Sequence, residues 1–206
     1  MYHDLREQGT RRVTEYFSAQ ARDYQSRSQR FPWAWARARE ANAVRSLLGE
    51  VAGRDVAEFG AGAGFYTRAL LGWGARHVWA VDISAPMLAS LPPGAITSVL
   101  GDAANVQLGR SFPIMISAGM LEFVSDPDAV LVNAARHAEA GARLVILVPR
   151  ASVLGYAYRR FHRAHGFAIR LFDRAWFETA APQTGWSLSA AVPVLPFSLC
   201  VQLQRL

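Results

Sequence analysis

The sequence predicts an α/β fold in which a mostly parallel sheet is covered by helices on both faces. Three observations carry this prediction. Short apolar runs alternate with amphipathic, helix-length stretches over residues 56–148, and strands alternating with helices build parallel sheets that are covered on both sides. The first apolar run breaks into a turn with glycine at Gly60, Gly62 and Gly64, as where a strand hands over to a helix. Three acids, Glu58, Asp82 and Asp102, fall near the ends of successive apolar runs. In such a sheet they meet at the carboxyl edge, where ligands bind.

Residues 11–29 place Val13, Phe17, Ala21 and Tyr24 on one side of a first helix. A second starts at Phe31-Pro32-Trp33, where proline suits the first turn, and runs to about Leu48 before Gly49. Both are free to fold over the glycine turn. The alternating core follows: strand 56–59, helix 64–71, strand 78–81, a short helix near Met87, strand 97–100, strand 113–117, helix 127–139 and strand 144–148. Residues 151–168 then mix Val153, Leu154, Tyr156, Tyr158, Phe161 and Phe167 with Arg159, Arg160 and Arg163, the pattern of a basic amphipathic helix. Asp173 is placed to cap a helix to about Ala181, and two strands, 187–192 and 197–204, close the chain.

At 206 residues, 51% hydrophobic and 18% charged, the chain suits one folded domain and excludes a disordered one. No stretch approaches the roughly 20 apolar residues that span a bilayer, and the N-terminal residues lack the apolar core of a signal peptide. A cytoplasmic location is expected. The single cysteine, Cys200, excludes an internal disulfide and a multi-cysteine zinc site. All 22 basic residues are arginine, which excludes a lysine base or Schiff base. Six arginines and one acid, Asp173, lie between Arg150 and Arg174. Such a patch is either a solvated helix face or a site for an anionic substrate or membrane surface.

The glycine turn selects its ligand through its neighbours. A dinucleotide fingerprint needs glycine or alanine at the sixth position counted from Gly60, where this chain has Phe65. A carboxylate at Glu58 repels a pyrophosphate and attracts an ammonium or sulfonium. Asp82 is placed to accept from a ribose diol, and Asp102 from an adenine amino group. Together the three acids describe S-adenosylmethionine (SAM) by its amino acid, ribose and base.

The run Glu58-x-Gly60-x-Gly62-x-Gly64, then Val81-Asp82-Ile83-Ser84 with Met87, then Gly101-Asp102-Ala103 resembles the successive cofactor motifs of class I SAM-dependent methyltransferases. Leu121-Glu122-Phe123-Val124 with Asp126-Pro127 resembles the next motif, although many members carry histidine where this chain has Phe123. The resemblance is collinear over about 56–149. It implies a Rossmann-like, seven-stranded, mostly parallel sheet with an antiparallel C-terminal hairpin and an N-terminal helical cap. One domain, 1–206, would then divide into cap 1–50, cofactor core 51–150, acceptor-side insertion 151–182 and closing hairpin 183–206. The implied cofactor contacts are Glu58, Gly60, Ala61, Gly62, Gly64, Asp82, Ile83, Met87, Asp102, Ala103 and Ala118. The implied reaction is methyl transfer from SAM, with S-adenosylhomocysteine (SAH) as product, to a small-molecule acceptor, aromatic or amphipathic with an anionic group, as in secondary metabolism. A non-catalytic SAM-binding relative and an NAD(P)-dependent oxidoreductase are the alternatives.

Methyl transfer from a sulfonium needs mostly alignment of the acceptor, with a base only where the acceptor must lose a proton. His162 and His165 are candidate bases or members of a polar helix face. Tyr24 ends Phe17-Ser-Ala-Gln-Ala-Arg-Asp-Tyr24, similar to the entry segment of quinone-type and acyl-carrier-directed methyltransferases, or is plain core. Glu122 follows the fourth strand, where family members contact cofactor and acceptor. Trp33, Trp35, Tyr156, Tyr158 and Phe161 are an aromatic wall over the acceptor or simply core. Residues 117–123 hold neither the proline motif of amino-methylating DNA enzymes nor a Pro-Cys nucleophile. Ser125-Asp126-Pro127-Asp128 reads as a helix-capping turn, and no metal is expected.

Overall fold

Alternate residues of β1 (Asp55–Phe59) feed two separate cores, as a sheet covered on both faces requires. Val56 packs into a cluster with Val44, Leu48, Tyr66 and Leu70 on one side. Ala57 and Phe59 pack with Val130, Leu131, Phe177 and Trp186 on the other. The computed structural model describes residues 33–164 and 168–206. The expected helix over 11–29, with Tyr24, and the start at Phe31 and Pro32 lie outside the described residues. So do His165 and Phe167.

Helix α1 (Trp33–Leu48) precedes β1. The core then runs α2 (Phe65–Gly72), β2 (His77–Asp82), α3 (Ala85–Leu88), β3 (Ile96–Leu100), β4 (Phe112–Ala118), α4 (Pro127–Arg136) and β5 (Ala138–Pro149). Helices α5 (Val153–Ala164) and α6 (Arg174–Gln183) and strands β6 (Trp186–Val194) and β7 (Ser198–Arg205) complete the chain. Among the described residues the sheet has seven strands in the order β3-β2-β1-β4-β5-β7-β6. β1 to β5 are parallel, and β7 runs antiparallel between β5 and β6. The strand order reverses between β1 and β4, so the crevice for a ligand opens above the ends of those two strands. No helix among the described residues is long and apolar enough to cross a membrane.

The expected elements are all present over the described residues, with shifted ends. The helix expected over 127–139 stops at Arg136, because β5 starts at Ala138 and runs for 12 residues. Asp126 accepts from the Ala129 N–H at 3.1 Å and Asp173 from the Trp176 N–H at 2.9 Å, so both cap their helices as expected. Trp186 is fully buried and donates its indole N–H to the Leu131 carbonyl at 2.9 Å, tying the closing hairpin to α4. Cys200 is buried, and burial pushes its thiol up to about 12, which makes it an inert core residue.

Candidate active site

Each of the three turn glycines does a different job. A Cβ on Gly60 would sit 2.5 Å from Met120 Cβ, so its absence lets the β1–α2 turn press against the turn after β4. A Cβ on Gly64, the N-cap of α2, would strike Leu91 and Pro92 at 2.8 Å. Gly62 has φ 53°, and among the described residues a Cβ there would meet nothing within 4 Å. The space beside Gly62 is open, the cradle that close approach of a ligand to backbone needs. Phe65 stands on its edge against Tyr66, with ring centroids 4.9 Å apart, and the Arg37 guanidinium lies 5.0 Å from its ring. It fills the position that a dinucleotide fingerprint keeps small.

Asp82, ending β2, holds this turn in place. Its Oδ2 accepts from the Gly62 N–H at 2.7 Å and its Oδ1 from the Ser84 N–H at 2.9 Å. The Gly60 and Ala61 N–H groups both donate to the Val81 carbonyl. A carboxylate offers about four acceptor positions, so the backbone donors leave acceptor capacity on Asp82 for a ligand hydroxyl. Desolvation raises the pKa of Asp82, against the lowering effect of the backbone donors Ser84, Gly62 and Ile83. The Gly101 N–H donates to the Asp82 carbonyl at 3.0 Å, which brings the end of β3 alongside. Asp102 then turns the chain, accepting from the Ala104 N–H at 2.9 Å. Buried Asn133 donates to the Ala103 and Val106 carbonyls at 3.0 Å each, fixing that loop to α4. Met87 is buried under α3, and Ala118 is half-buried at the end of β4.

Glu58 differs from the expected free carboxylate. It is buried beneath the turn and accepts from the Thr67 hydroxyl at 2.6 Å. Burial pushes its acid up to about 8, the Thr67 hydrogen bonds oppose this, and the nearby Asp82 adds to it. At neutral pH it is mostly a neutral acid that a cation beside it would ionise.

A second group of polar residues lies next to the first. The 3-10 turn Leu121–Phe123 buries Glu122, and the Arg170 N–H donates to the Glu122 carbonyl at 3.0 Å, pinning the turn. Burial raises the Glu122 acid to about 8, with Glu40 raising it further and Arg37 lowering it. Glu40 on α1 accepts from the Ser198 hydroxyl at 2.5 Å. The sequence reading missed Glu40, Arg37 and Thr67. Glu40 had a signal: it sits at four-residue spacing with Ala36, Val44 and Leu48, all buried, so an acid interrupts the inward stripe of α1.

His162 does not lie on the polar face of α5. It meets the Tyr158 ring at 4.4 Å, Phe161 at 5.7 Å and Phe123, next to Glu122, at 6.0 Å. Tyr158 in turn stacks on Phe197 at 4.5 Å. The aromatic cluster therefore comprises Tyr158, His162, Phe123 and Phe197, with Phe161 exposed at its edge. Trp35 and Tyr156, expected in it, are about half exposed and carry Arg39 and Arg159 over their rings instead. Arg159, Arg160 and Arg163 are all exposed on α5.

Residues 57–146 match the family model described as a methyltransferase domain. The match runs from β1 into β5, the stretch whose motifs resemble those of the class I SAM-dependent methyltransferases. Among solved structures of this fold it is similar to magnesium protoporphyrin IX methyltransferase from Synechocystis with bound SAH. That match has 19% identity and a TM-score of 0.75, and covers 96% of this chain and 100% of that one. It is also similar to the N-methyltransferase NodS from Bradyrhizobium japonicum in complex with SAH, at 15% identity and TM-score 0.70, covering 93% and 97%. These likenesses establish the fold. A curated relative, ribosomal RNA small subunit methyltransferase A of Rhodospirillum rubrum, is 32% identical over 127 residues, which are 57% of this chain. The chain spans 43% of that relative's length. The family's cofactor, SAM, fits the residues present: an open cradle at Gly62, spare acceptor positions on Asp82, and a buried acid at Glu58 suited to a cationic neighbour.

Proposed function

We propose that this methyltransferase moves the methyl group of SAM to a small-molecule acceptor, aromatic or amphipathic, in the cytoplasm. The observation that carries this reading is the turn at Gly62, held by Asp82 and pressed through Gly60 against Met120, which leads directly into Glu122 and Phe123. In this reading 1–50 forms a cap, 51–150 binds the cofactor, 151–182 covers the acceptor and 183–206 closes the sheet. SAM brings its own leaving group, so the chain's residues have to align the acceptor and exclude water. The Phe123, Tyr158 and His162 rings supply a flat apolar wall for that purpose. Arg159, Arg160 and Arg163, exposed on the same helix, suit an anionic group at the distal end of the acceptor.

One similar protein is named for a magnesium porphyrin, a flat aromatic small molecule, and another for small-subunit ribosomal RNA. The discriminating experiment supplies isotopically labelled SAM together with small phenols, carboxylates and amines, and separately with small-subunit ribosomal RNA. Label is expected in a small molecule. Label entering the RNA and no small molecule would overturn the reading.

A further inference from the structure

The protein carries a net charge of +6, yet buried and half-buried acids gather near the carboxyl ends of its central strands. Glu58 and Asp82 stand under the cofactor turn. Glu40 and Glu122 stand on the acceptor side, on α1 and on the turn after β4. Glu122 is 6% exposed, and among the described residues its buried Oε2 has no hydrogen-bond partner. The Tyr66 hydroxyl is likewise buried and unpartnered. Glu40 acts electrostatically on both Glu122 and Tyr66, so the three lie near one another. Arg37 is the cation whose field reaches this group, and its guanidinium also covers the Phe65 ring. A buried, unsatisfied carboxyl oxygen is costly to maintain and calls for an explanation. A donor carried by a ligand supplies one, and a cationic donor matches an acidic surrounding best.

We propose that the acceptor's reacting atom is an amine nitrogen bound between Glu122 and Glu40, with Glu122 receiving the proton that this nitrogen must lose before it can be methylated. The proposal rests on the SAM-dependent reading above. An amine entering as R–NH3+ gives one proton to the Glu122 carboxylate and becomes R–NH2. Its lone pair then forms the N–C bond as the methyl–sulfur bond breaks, with the bonding pair staying on sulfur. The products are R–NH2–CH3+ and a neutral thioether, and Glu122 returns its proton to solvent. Glu122 touches the reacting atom and is the catalytic residue. Glu40 is a positioning residue, held by Ser198. The distal arginines of α5 leave room for an anionic group at the far end of the same amine.

Among the described residues, the charged and titratable groups around Glu122 are Glu40 and Arg37 from α1, with Tyr66 from α2, Glu58 from β1 and Cys200 from β7 beyond them, and His162 packs on the neighbouring Phe123 ring. Burial sets Glu122 to ionise at about 8, and Glu40 pushes it upward. The kcat/KM for an amine should therefore rise with pH through that region. Glu40→Gln should move this rise to lower pH and raise KM more than it lowers kcat. Glu122→Gln should remove the rise and lower kcat/KM by about 10²–10⁴-fold, the usual contribution of a positioned base.

The test supplies SAM and primary and secondary amines from methylamine to phenethylamine, none carrying a hydroxyl, beside carboxylic acids and phenols of matched size, and measures SAH formation. Turnover confined to amines, with the two variant signatures above, is the expected result. Turnover on acids or phenols instead, or no amine turnover in a protein that binds SAH, overturns the amine assignment. A Glu40→Gln profile superimposable on wild type overturns the role of Glu40. Absence of SAH binding is a separate result and sinks the SAM-dependent reading itself.

Discussion

Asp82→Ala should bind SAH about 10²–10⁴-fold more weakly than the wild-type chain. The substitution removes the acceptor expected to take both ribose hydroxyls, and hydrogen bonds to a charged group contribute about 1.5–3 kcal/mol each. It also frees the Gly62 and Ser84 N–H groups that the carboxylate now fixes at 2.7 and 2.9 Å. The glycine turn therefore loses its anchor as well as its ligand contact. Asp82→Asn keeps the shape of the side chain and one acceptor oxygen, so it should fall between the two. Calorimetric titration of the three proteins with SAH measures the series. Equal affinity for Asp82→Ala and wild type would remove Asp82 from the site.

The glycines should separate stability from binding. Gly60→Ala places its Cβ 2.5 Å from Met120 Cβ at φ 77°. Overpacking costs about 1–3 kcal/mol and a left-handed residue about 1–2 kcal/mol. In a chain of this size each kcal/mol lowers Tm by about 2–4 °C, so a fall of about 4–20 °C is expected. Gly62→Ala has the same backbone cost, but its Cβ enters open space. Its Tm should fall by about 2–8 °C. Its SAH affinity should fall more than tenfold, because the methyl group occupies the cradle. Thermal melts without ligand and titrations with SAH check both halves. Gly62→Ala with unchanged affinity would show that the open space lies away from the ligand.

These contrasts mark how far the sequence was legible. The sheet and its acids followed from local patterns: apolar runs of strand length, a turn that only glycine satisfies, and Asp82 two residues before the short helix. Strand ends were less readable, as where β5 begins at Ala138 although 138–143 carries Glu139, Gly141 and Arg143 among its residues. Pairing along the sheet edge, with Phe112 opposite Ala138, overrides that weak propensity. The ionisation of Glu58 was not legible, because its neutral state depends on burial and on Thr67, which a linear pattern does not weigh. The acceptor side was the least readable. Glu40, Glu122 and Ser198 come from three distant segments and meet only through tertiary packing. His162 belonged by pattern to an arginine-rich helix, and its aromatic neighbours Phe123 and Phe197 enter from other elements by way of Tyr158.

The central claim is that the acids beneath and beside the glycine turn receive the cationic part of SAM. Calorimetric titration of the purified chain with SAM at pH 7, in two buffers of different ionisation enthalpy, tests it most directly. Glu58 ionises at about 8 in the free protein, so at pH 7 it is mostly protonated. A cation placed beside it favours the carboxylate, and binding should release part of a proton. The observed heat should then differ between the buffers, and affinity should weaken as pH falls below 8. One-to-one binding with proton release is the predicted result, and Glu58→Gln should abolish the release. No binding of SAM, or binding with no proton release at pH 7, would contradict it.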